Sequence, residues 1–599
     1  MLVDKVSNKN GYHHQYLEVN VSTGECIRHP LETTTLKRTI GGSGLGTQLL
    51  LEHESWKYDP LSAESSIVFA FSPLVGSPLT TSAKFAVVSR SPLTGRINDS
   101  LASSQFAIAG KRTGNDALLV KGRADSLSIL VVDEGNIEIQ SATHLAGLSA
   151  EQTEAQLKDQ FPKDYSFAVI GPAGEKLVHF ATISHSGRHA GRGGSGAVLG
   201  SKNIKAIAVR GKQRTNWHNT EQLVESARDL SQRSFGPATE KYRELGTAAN
   251  VLVFNRLNCL PTRNFQKGSF HDAIELSPES MNLAREKIRE SCAACTIGCT
   301  HVYSVPVDGK PSRARIEYEN LFALGPLCEI GDQQIVLEAS QLCDHYGIDT
   351  ISTGGTIAFA MECVEQNILN EPWLRFGDGQ ALIQAIHLIG QYKGLGKRLA
   401  QGSRALAMEL GKGTLAFAPQ VKGLELPGYE PRALQTMALG FAVGTRGADH
   451  NRSGAYEVDF SEAVDRRNAD VSQARLAVET ENKAAIMDSL ILCKFLRGVF
   501  DDYFAECAVM LNLITGWNLH AQDLVQTAEE IINAKKRFNI LSGWTPEEDT
   551  LPERMLTSAL EDDQDARLNR QTLETLIKAY NLERGWDALG FLPDSSTIV

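Results

Sequence analysis

At 599 residues, 42% of them hydrophobic and 22% charged, the chain is long enough for about three or four domains with large cores, which excludes disorder of the whole. A formal net charge of −11 with no long Lys/Arg tract excludes nucleic acid and an anionic membrane as main partners, and an acidic electron carrier would need a local basic patch. The opening Met1-Leu2-Val3-Asp4-Lys5 holds no apolar signal region, and the longest uncharged stretch, residues 66–83, is broken by Pro73, Gly76 and Pro78. A soluble, cytoplasmic protein is therefore expected.

Leu17, Val19 and Val21 alternate before a Ser22-Thr23-Gly24 turn, the period-two pattern of a half-buried strand. Leu130-Val131-Val132 turns at Asp133-Glu134-Gly135-Asn136 into Ile137 and Ile139 as a hairpin, and Ile204, Ala206 and Ala208 with Ile207 and Val209 close the region before Gly211. From about Asn216 helical signals dominate. Asp332 can cap a helix whose apolar positions Ile335, Val336, Ala339, Leu342, Cys343 and Tyr346 recur at helical spacing until Gly347 stops it. A second helix is expected after Asp349, through Ile357, Ala358 and Met361. The turn between them, Gly347-Ile348-Asp349, has free NH groups and carboxylates that can face a polar ligand. A loop over residues 423–431 marks a further boundary. The expected class is α+β: a strand-rich N-terminal base over residues 1–212, then two mainly helical domains over 213–420 and 421–599.

Ten cysteines are too sparse for a disulfide scaffold. Cys292, Cys295 and Cys299 stand at C-x2-C-x3-C spacing, and Cys493 follows about two hundred residues later. Four such thiolates suit a [4Fe–4S] cluster that pins two segments to one redox cofactor, and the loop spacing alone also admits a zinc knuckle. The other six, Cys26, Cys259, Cys328, Cys343, Cys363 and Cys507, read as free buried thiols. Gly191-Arg192-Gly193-Gly194-Ser195-Gly196 formally satisfies the dinucleotide fingerprint, but only seven residues separate Gly196 from the strand at Ile204, too few for a crossover helix. Two readings stay open: a backbone cradle for a phosphate neutralised by Arg188 and Arg192, or a tight turn with solvated arginines. Asp344 to Asp349 and Asp488 to Cys493 share an Asp-x-x-x-aliphatic-(Asp/Cys) pattern whose carboxylates either meet a pterin ring or cap helices.

Taken together and in this order, the segments resemble the tungsten-containing aldehyde:ferredoxin oxidoreductase family over most of the chain. The resemblance is carried by Ser91-Pro-Leu-Thr-Gly95, Gly171-Pro-Ala-Gly-Glu175, Gly191-Arg-Gly-Gly194 with Gly200-Ser-Lys-Asn203, Cys292 to Cys299, Glu317-Tyr-Glu319, Gly347-Ile-Asp-Thr-Ile-Ser-Thr-Gly-Gly355, Leu424-Glu-Leu-Pro427, Arg446-Gly-Ala-Asp-His450 and Asp549-Thr-Leu-Pro552. It implies domains enclosing a tungsten, or molybdenum, held by the dithiolenes of two pterins (molybdopterin), a [4Fe–4S] cluster beside one pterin, and Mg2+ bridging the pterin phosphates. By motif match Cys292, Cys295, Cys299 and Cys493 hold the cluster. Arg188, His189, Gly191 and Arg192 meet one pterin and its phosphate, Asp344, Ile348 and Asp349 cradle a pterin at the helix turn, and Arg452, Asp488 and Leu492 do so on the opposite side. Glu319 and His450 fall where the family places polar groups next to the metal, as implied proton handlers. The implied reaction takes a small aldehyde and water to a carboxylic acid, with electrons leaving to ferredoxin or an iron–sulfur partner subunit.

Three departures stand out. Lys84 occupies the place of an arginine that in the family commonly bridges cluster and pterin, keeping the charge but losing the bidentate fork. Leu101-Ala102-Ser103-Ser104 replaces the family's Asn-Ser-Gly-Gly, and Ile491 replaces a glycine of the second Asp motif. Some family dimers share one iron bound by a Glu and a His from each chain. Here Glu338 is kept but residues 379–383 hold no histidine, so a homodimer is expected to lack interfacial iron. Two alternatives stand beside the main reading: low-potential reduction of an activated acid or aromatic substrate at the same centre, and a non-catalytic electron-transfer or zinc-structured subunit, against which Glu319 and His450 argue.

Overall fold

In a computed structural model, which describes residues 10–307 and 310–593, the alternating Leu17 and Val19 are buried in β1 (Gln15–Asn20). The opening residues read for a signal region lie outside those described. With β2 (Glu25–Pro30), β3 (Ile67–Ala70), β4 (Lys84–Arg90), β5 (Ile97–Ser103) and β6 (Ala117–Lys121), β1 builds a mixed sheet of order β2-β1-β6-β3-β4-β5, in which only β1 and β6 run parallel. The expected hairpin is β7 (Ser128–Asp133) and β8 (Asn136–Ser141), closed by the Asp133–Asn136 pair. These join β9 (Ser166–Ile170), β10 (Ile183–His185), β11 (Arg188–Ala190) and β12 (Ile204–Arg210) in a second mixed sheet, β11-β10-β9-β12-β7-β8. Leu17, Phe69, Val87, Leu130 and Ile207 are buried together, so one apolar core joins the two sheets. Each such side chain contributes about 1.5–3 kcal/mol.

The strand-rich base also carries helices, among them Gly42–Glu52, Gln105–Lys111 and Ala150–Gln160. One of them corrects the reading of the glycine run: β11 precedes it and the six-residue helix Ser195–Gly200 follows, short enough to fit before β12. It is still no dinucleotide unit, because β11 pairs antiparallel with β10 and is not a neighbour of β12. A second correction falls in the region read as helical, where β13 (Lys287–Glu290), β14 (Thr300–Val307) and β15 (Lys310–Ile316) form an antiparallel sheet. Cys292 to Cys299 is the loop between β13 and β14. A third concerns Cys26, which is exposed on β2, whereas Cys259, Cys328, Cys343, Cys363 and Cys507 are buried. Residues 423–431, expected as a boundary loop, are buried along their length, and several of them join an apolar core that draws on residues from Ile40 to Leu592. Among the described residues no helix is long and apolar enough to cross a membrane.

The helix pair follows its sequence signals closely. Asp332 accepts from Gln334 N at 2.7 Å to cap helix Gln333–Tyr346, Gly347 ends it at φ 73°, and Asp349 caps helix Thr350–Glu365 by accepting from Ser352 N at 3.0 Å. The turn is stitched to the N-terminal base: Thr182 N donates to Gly347 O at 2.9 Å and Asp349 N to Phe180 O at 3.0 Å. Backbones meet so closely that a Cβ on Gly171 would lie 2.3 Å from Tyr346 O. Gly171→Ala is therefore expected to cost about 3 kcal/mol by forcing the junction apart. Gly135→Ala, with nothing near its Cβ, serves as the control. Equal thermal midpoints for the two variants would show that the junction yields.

Candidate active site

Each site residue singled out from the sequence lines a single cavity of about 960 Å3. Lys84 begins β4, Arg188 and His189 lie in β11, and Gly191 and Arg192 follow in the turn. Glu319 stands in the first turn of helix Tyr318–Leu324, and Asp344, Ile348 and Asp349 surround the stitched turn. His450 and Arg452 belong to the short helix His450–Ser453, capped by Asp449, while Asp488, Leu492 and Cys493 surround the end of helix Ser472–Leu490.

The cysteine segments are laced together through Thr80 and Thr81. Cys493 N donates to Thr81 Oγ1 at 3.2 Å, Thr81 N donates to Ala294 O at 2.6 Å, and Thr296 N donates to Thr80 Oγ1 at 3.1 Å. Burial pushes the Cys295 and Cys299 thiols up. Burial also works against the Lys84 ammonium, yet Cys493, Cys292, Cys295 and Asp488 together hold it above its ordinary value, which places Lys84 between the thiols and the second Asp motif. Among the described residues no three His, Cys, Asp or Glu groups converge on one ion position. Cys292, Cys295, Cys299 and Cys493 all line the same cavity.

Around the rest of the cavity runs a buried charge network that sequence reasoning missed in part. Asp99 lies 3.0 Å from both Arg452 Nε and Lys535 Nζ, Asp488 lies 3.3 Å from Arg452 NH1 and 2.8 Å from Lys494 Nζ, and Asp449 lies 3.0 Å from Arg446 NH1. Burial alone would raise the Asp99 and Asp449 carboxyls, but the surrounding guanidinium and ammonium groups hold both well below the usual range. Arg446 and Asp449 sit inside a quoted motif. For Asp99 and Lys535, which are 436 positions apart, no local signal exists. Arg192 NH1 donates to Ala448 O at 2.7 Å and its NH2 to Glu425 O, so the guanidinium ties the glycine turn to the C-terminal half, while its buried Nε has no hydrogen-bond partner and Arg192 lines the cavity. His189 Nε2 lies 3.1 Å from Asp344 Oδ1, and Asp349 combines its place on the wall with its cap.

Two of the three departures have visible consequences. Ser103 Oγ donates to Ala83 O at 3.0 Å and Ser104 caps helix Gln105–Lys111, so both serines are used structurally. Ile491 keeps the left-handed conformation at φ 63° that glycine favours, a strain of about 1–2 kcal/mol offset by its fully buried side chain.

Glu319 and His450 form a distinct pair. Gly428 N donates to Glu319 Oε2 at 3.0 Å, Glu319 Oε1 lies 3.6 Å from His450 Nε2, and the imidazole stacks on Tyr429 with ring centres 4.9 Å apart. Burial pushes the Glu319 carboxyl up to about 8, against the Gly428 NH and Arg192, and pushes His450 down to about 3. Burial thus favours the uncharged form of both groups, and Asn451 Nδ2 lies 2.8 Å from His450 Nε2, the nitrogen that faces the carboxyl. Glu319 Oε1 and His450 Nδ1 are buried without a hydrogen-bond partner, so the wall offers two unsatisfied polar atoms to an occupant. A Cβ on Gly191 would meet nothing within 4 Å, so the glycine cradle opens into space.

The family models named aldehyde ferredoxin oxidoreductase, N-terminal domain, and aldehyde ferredoxin oxidoreductase, domains 2 & 3, match residues 16–211 and 222–598. A tungsten-containing aldehyde ferredoxin oxidoreductase of Pyrococcus horikoshii is 34% identical, covering 98% of each chain. An aliphatic sulfonate oxidoreductase, WOR-like subunit, of Pyrococcus furiosus is 28% identical, covering 97% of this chain and 95% of that one. Among solved structures, the active site complex BamBC of benzoyl coenzyme A reductase with 1,5-dienoyl-CoA superposes with a TM-score of 0.82 over 98% of this chain and 96% of that one, at 21% identity, a likeness of fold.

Proposed function

The chain belongs to the aldehyde ferredoxin oxidoreductase family, and on that premise we propose that it oxidises an aldehyde to a carboxylic acid in the cavity described above. What carries the reading is the Glu319–His450 pair, uncharged at neutral pH and left with two unsatisfied atoms on the wall. The reaction balances as R–CHO + H2O → R–COOH + 2 H+ + 2 e−. A tungsten (or molybdenum) bis-pterin, when bound, supplies a Lewis acid and two-electron acceptor, with a [4Fe–4S] cluster as the one-electron outlet to ferredoxin or an iron–sulfur partner.

The residues present fit those groups. Cys292, Cys295, Cys299 and Cys493 hold the cluster, and the Lys84 ammonium offsets thiolate charge while reaching toward Asp488. Asp344, Ile348 and Asp349 hold one pterin edge and Arg452, Asp488 and Leu492 the other. Arg188, His189, Arg192 and the open face at Gly191 would take a pterin and its phosphate, with Mg2+ as counterion. Glu319, once ionised, accepts a proton as water oxygen adds to the carbonyl carbon, and the neutral His450, held by Asn451 at Nε2 with its Nδ1 unpartnered, orients the reacting groups beside it.

Anaerobic purification followed by W, Mo, Fe and Zn analysis, with aldehyde-dependent reduction of ferredoxin, tests the reading. Absence of both tungsten and molybdenum, or no aldehyde-dependent reduction by loaded protein, would overturn it. A second measurement addresses the cradle. Gly191→Ala should melt like the wild type, because its φ is not in the left-handed range and its Cβ is unopposed. The added methyl would project into the cavity that the cofactor is proposed to fill, a misfit of about 1–3 kcal/mol. Tungsten retention should therefore fall roughly tenfold or more. Full retention would remove Gly191 from the site.

A further inference from the structure

From the Glu319–His450 pair outward, four aromatic rings in mutual contact line the cavity, with a separate stacked pair elsewhere on its wall. Tyr429, stacked on His450, has Phe254 edge-on at 5.2 Å and Tyr456 at 5.0 Å. Phe254 in turn stacks on Phe460 at 5.1 Å, and Phe460, 38% exposed, opens the run to solvent. Tyr242 and Phe495 stack on each other at 4.1 Å. All six rings line the same cavity as Glu319 and His450. Formal charge along this stretch is already answered: Arg497 is paired with Glu457 and lies 5.5 Å from the Tyr456 ring, and the exposed Lys241 lies 5.0 Å from the Tyr242 ring. A carboxylate on the substrate's substituent would meet no unpaired buried cation among these residues.

We infer that the substrate is an uncharged aryl aldehyde, with an aromatic ring on or next to the carbonyl carbon. The inference rests on the aldehyde reading above and narrows it. A carbonyl placed at Glu319 and His450 leaves its substituent against Tyr429, Phe254 and Tyr456, where each ring-on-ring contact is worth about two- to tenfold in binding beyond the area it buries. Short aliphatic aldehydes reach the same polar pair but forgo those contacts. Phe254 and Phe460 are specificity residues on this reading, since they touch the substituent and not the reacting carbon.

Two measurements on metal-loaded protein test it. In turnover, benzaldehyde and phenylacetaldehyde should show kcat/KM at least about tenfold above acetaldehyde, and 4-carboxybenzaldehyde about tenfold below benzaldehyde. Phe460→Ala, at an exposed position, and the conservative Phe254→Leu should each reduce the aryl-to-acetaldehyde ratio about three- to tenfold. In binding, which needs no turnover, calorimetric titration should find benzamide about tenfold tighter than acetamide. An aryl-to-acetaldehyde ratio of one or less, a ratio unmoved in both variants, or equal amide affinities would overturn the inference while leaving aldehyde oxidation standing. Protein inactive on every aldehyde that still prefers benzamide would overturn the proposed reaction and leave the aryl pocket standing.

Discussion

Glu319→Gln should turn aldehyde over about two to four orders of magnitude more slowly than the wild type, the scale of a positioned acid or base, at wild-type tungsten and iron contents. The amide keeps an oxygen for the Gly428 NH and nearly the same volume, so it removes only the titratable proton. The pH profile sharpens the test. With its carboxyl pushed up to about 8, chiefly by burial, Glu319 is protonated below that pH and cannot act as a base. In wild type, kcat/KM should therefore climb with pH and level off above about 8, whereas the variant should be flat through the same window. Stability runs the other way: between 4.5 and about 8 the folded chain keeps a proton that the unfolded chain loses, so stability falls as pH rises, and Glu319→Gln should remove that slope. His450→Asn should lose turnover on a similar scale. Wild-type rates in both variants, with both metals bound, would mark the pair as structural and defeat the mechanism without touching the cofactor assignment.

Cys295→Ser should lose iron together with the broad visible absorption of the protein, because a cubane missing one thiolate would be held by three ligands on two segments joined by the hydrogen bonds of Thr80 and Thr81 described above. Wild type should carry about four iron per chain. Stoichiometric zinc in anaerobically purified wild type would overturn the cluster. Iron clearly above that level, removable by a chelator without bleaching, would instead contradict a dimer without interfacial iron.

Local signals translated into structure wherever one or two turns of chain decide the outcome. Asp332, Gly347 and Asp349 each do what their side chains or lack of one dictate, and the β7–β8 hairpin closes at the turn its residues specify. Failures have physical causes. The strand β13 reads Lys287-Ile-Arg-Glu290 and is partly exposed on both faces, so it shows no alternation, and the sheet it begins was invisible against helical surroundings. Edge strand β2 is exposed almost throughout, which is why Cys26 gave no sign of its position. Within the site, the cysteines, the glycine run and both Asp turns were legible because each is compact in sequence. The Asp99–Lys535 pair and the carbonyl anchors of Arg192 were not, because only the finished fold brings them together. The resemblance carried Glu319 and His450; their spacing carried nothing. The lone histidine and a carboxylate 131 positions earlier acquire meaning only through Gly428 and Tyr429, which orient them.

The lacing of Cys493 and Ala294 through Thr81 also dictates the order in which the enzyme can be assembled. A ribosome delivers the chain N-terminus first, so both six-stranded sheets can form while the Cys493 segment is still unmade. Until then the chamber lacks one side, and three thiols wait without their fourth. A chain stalled before Cys493 would hold the two sheets and the first three cysteines without the segment that Thr81 ties to them.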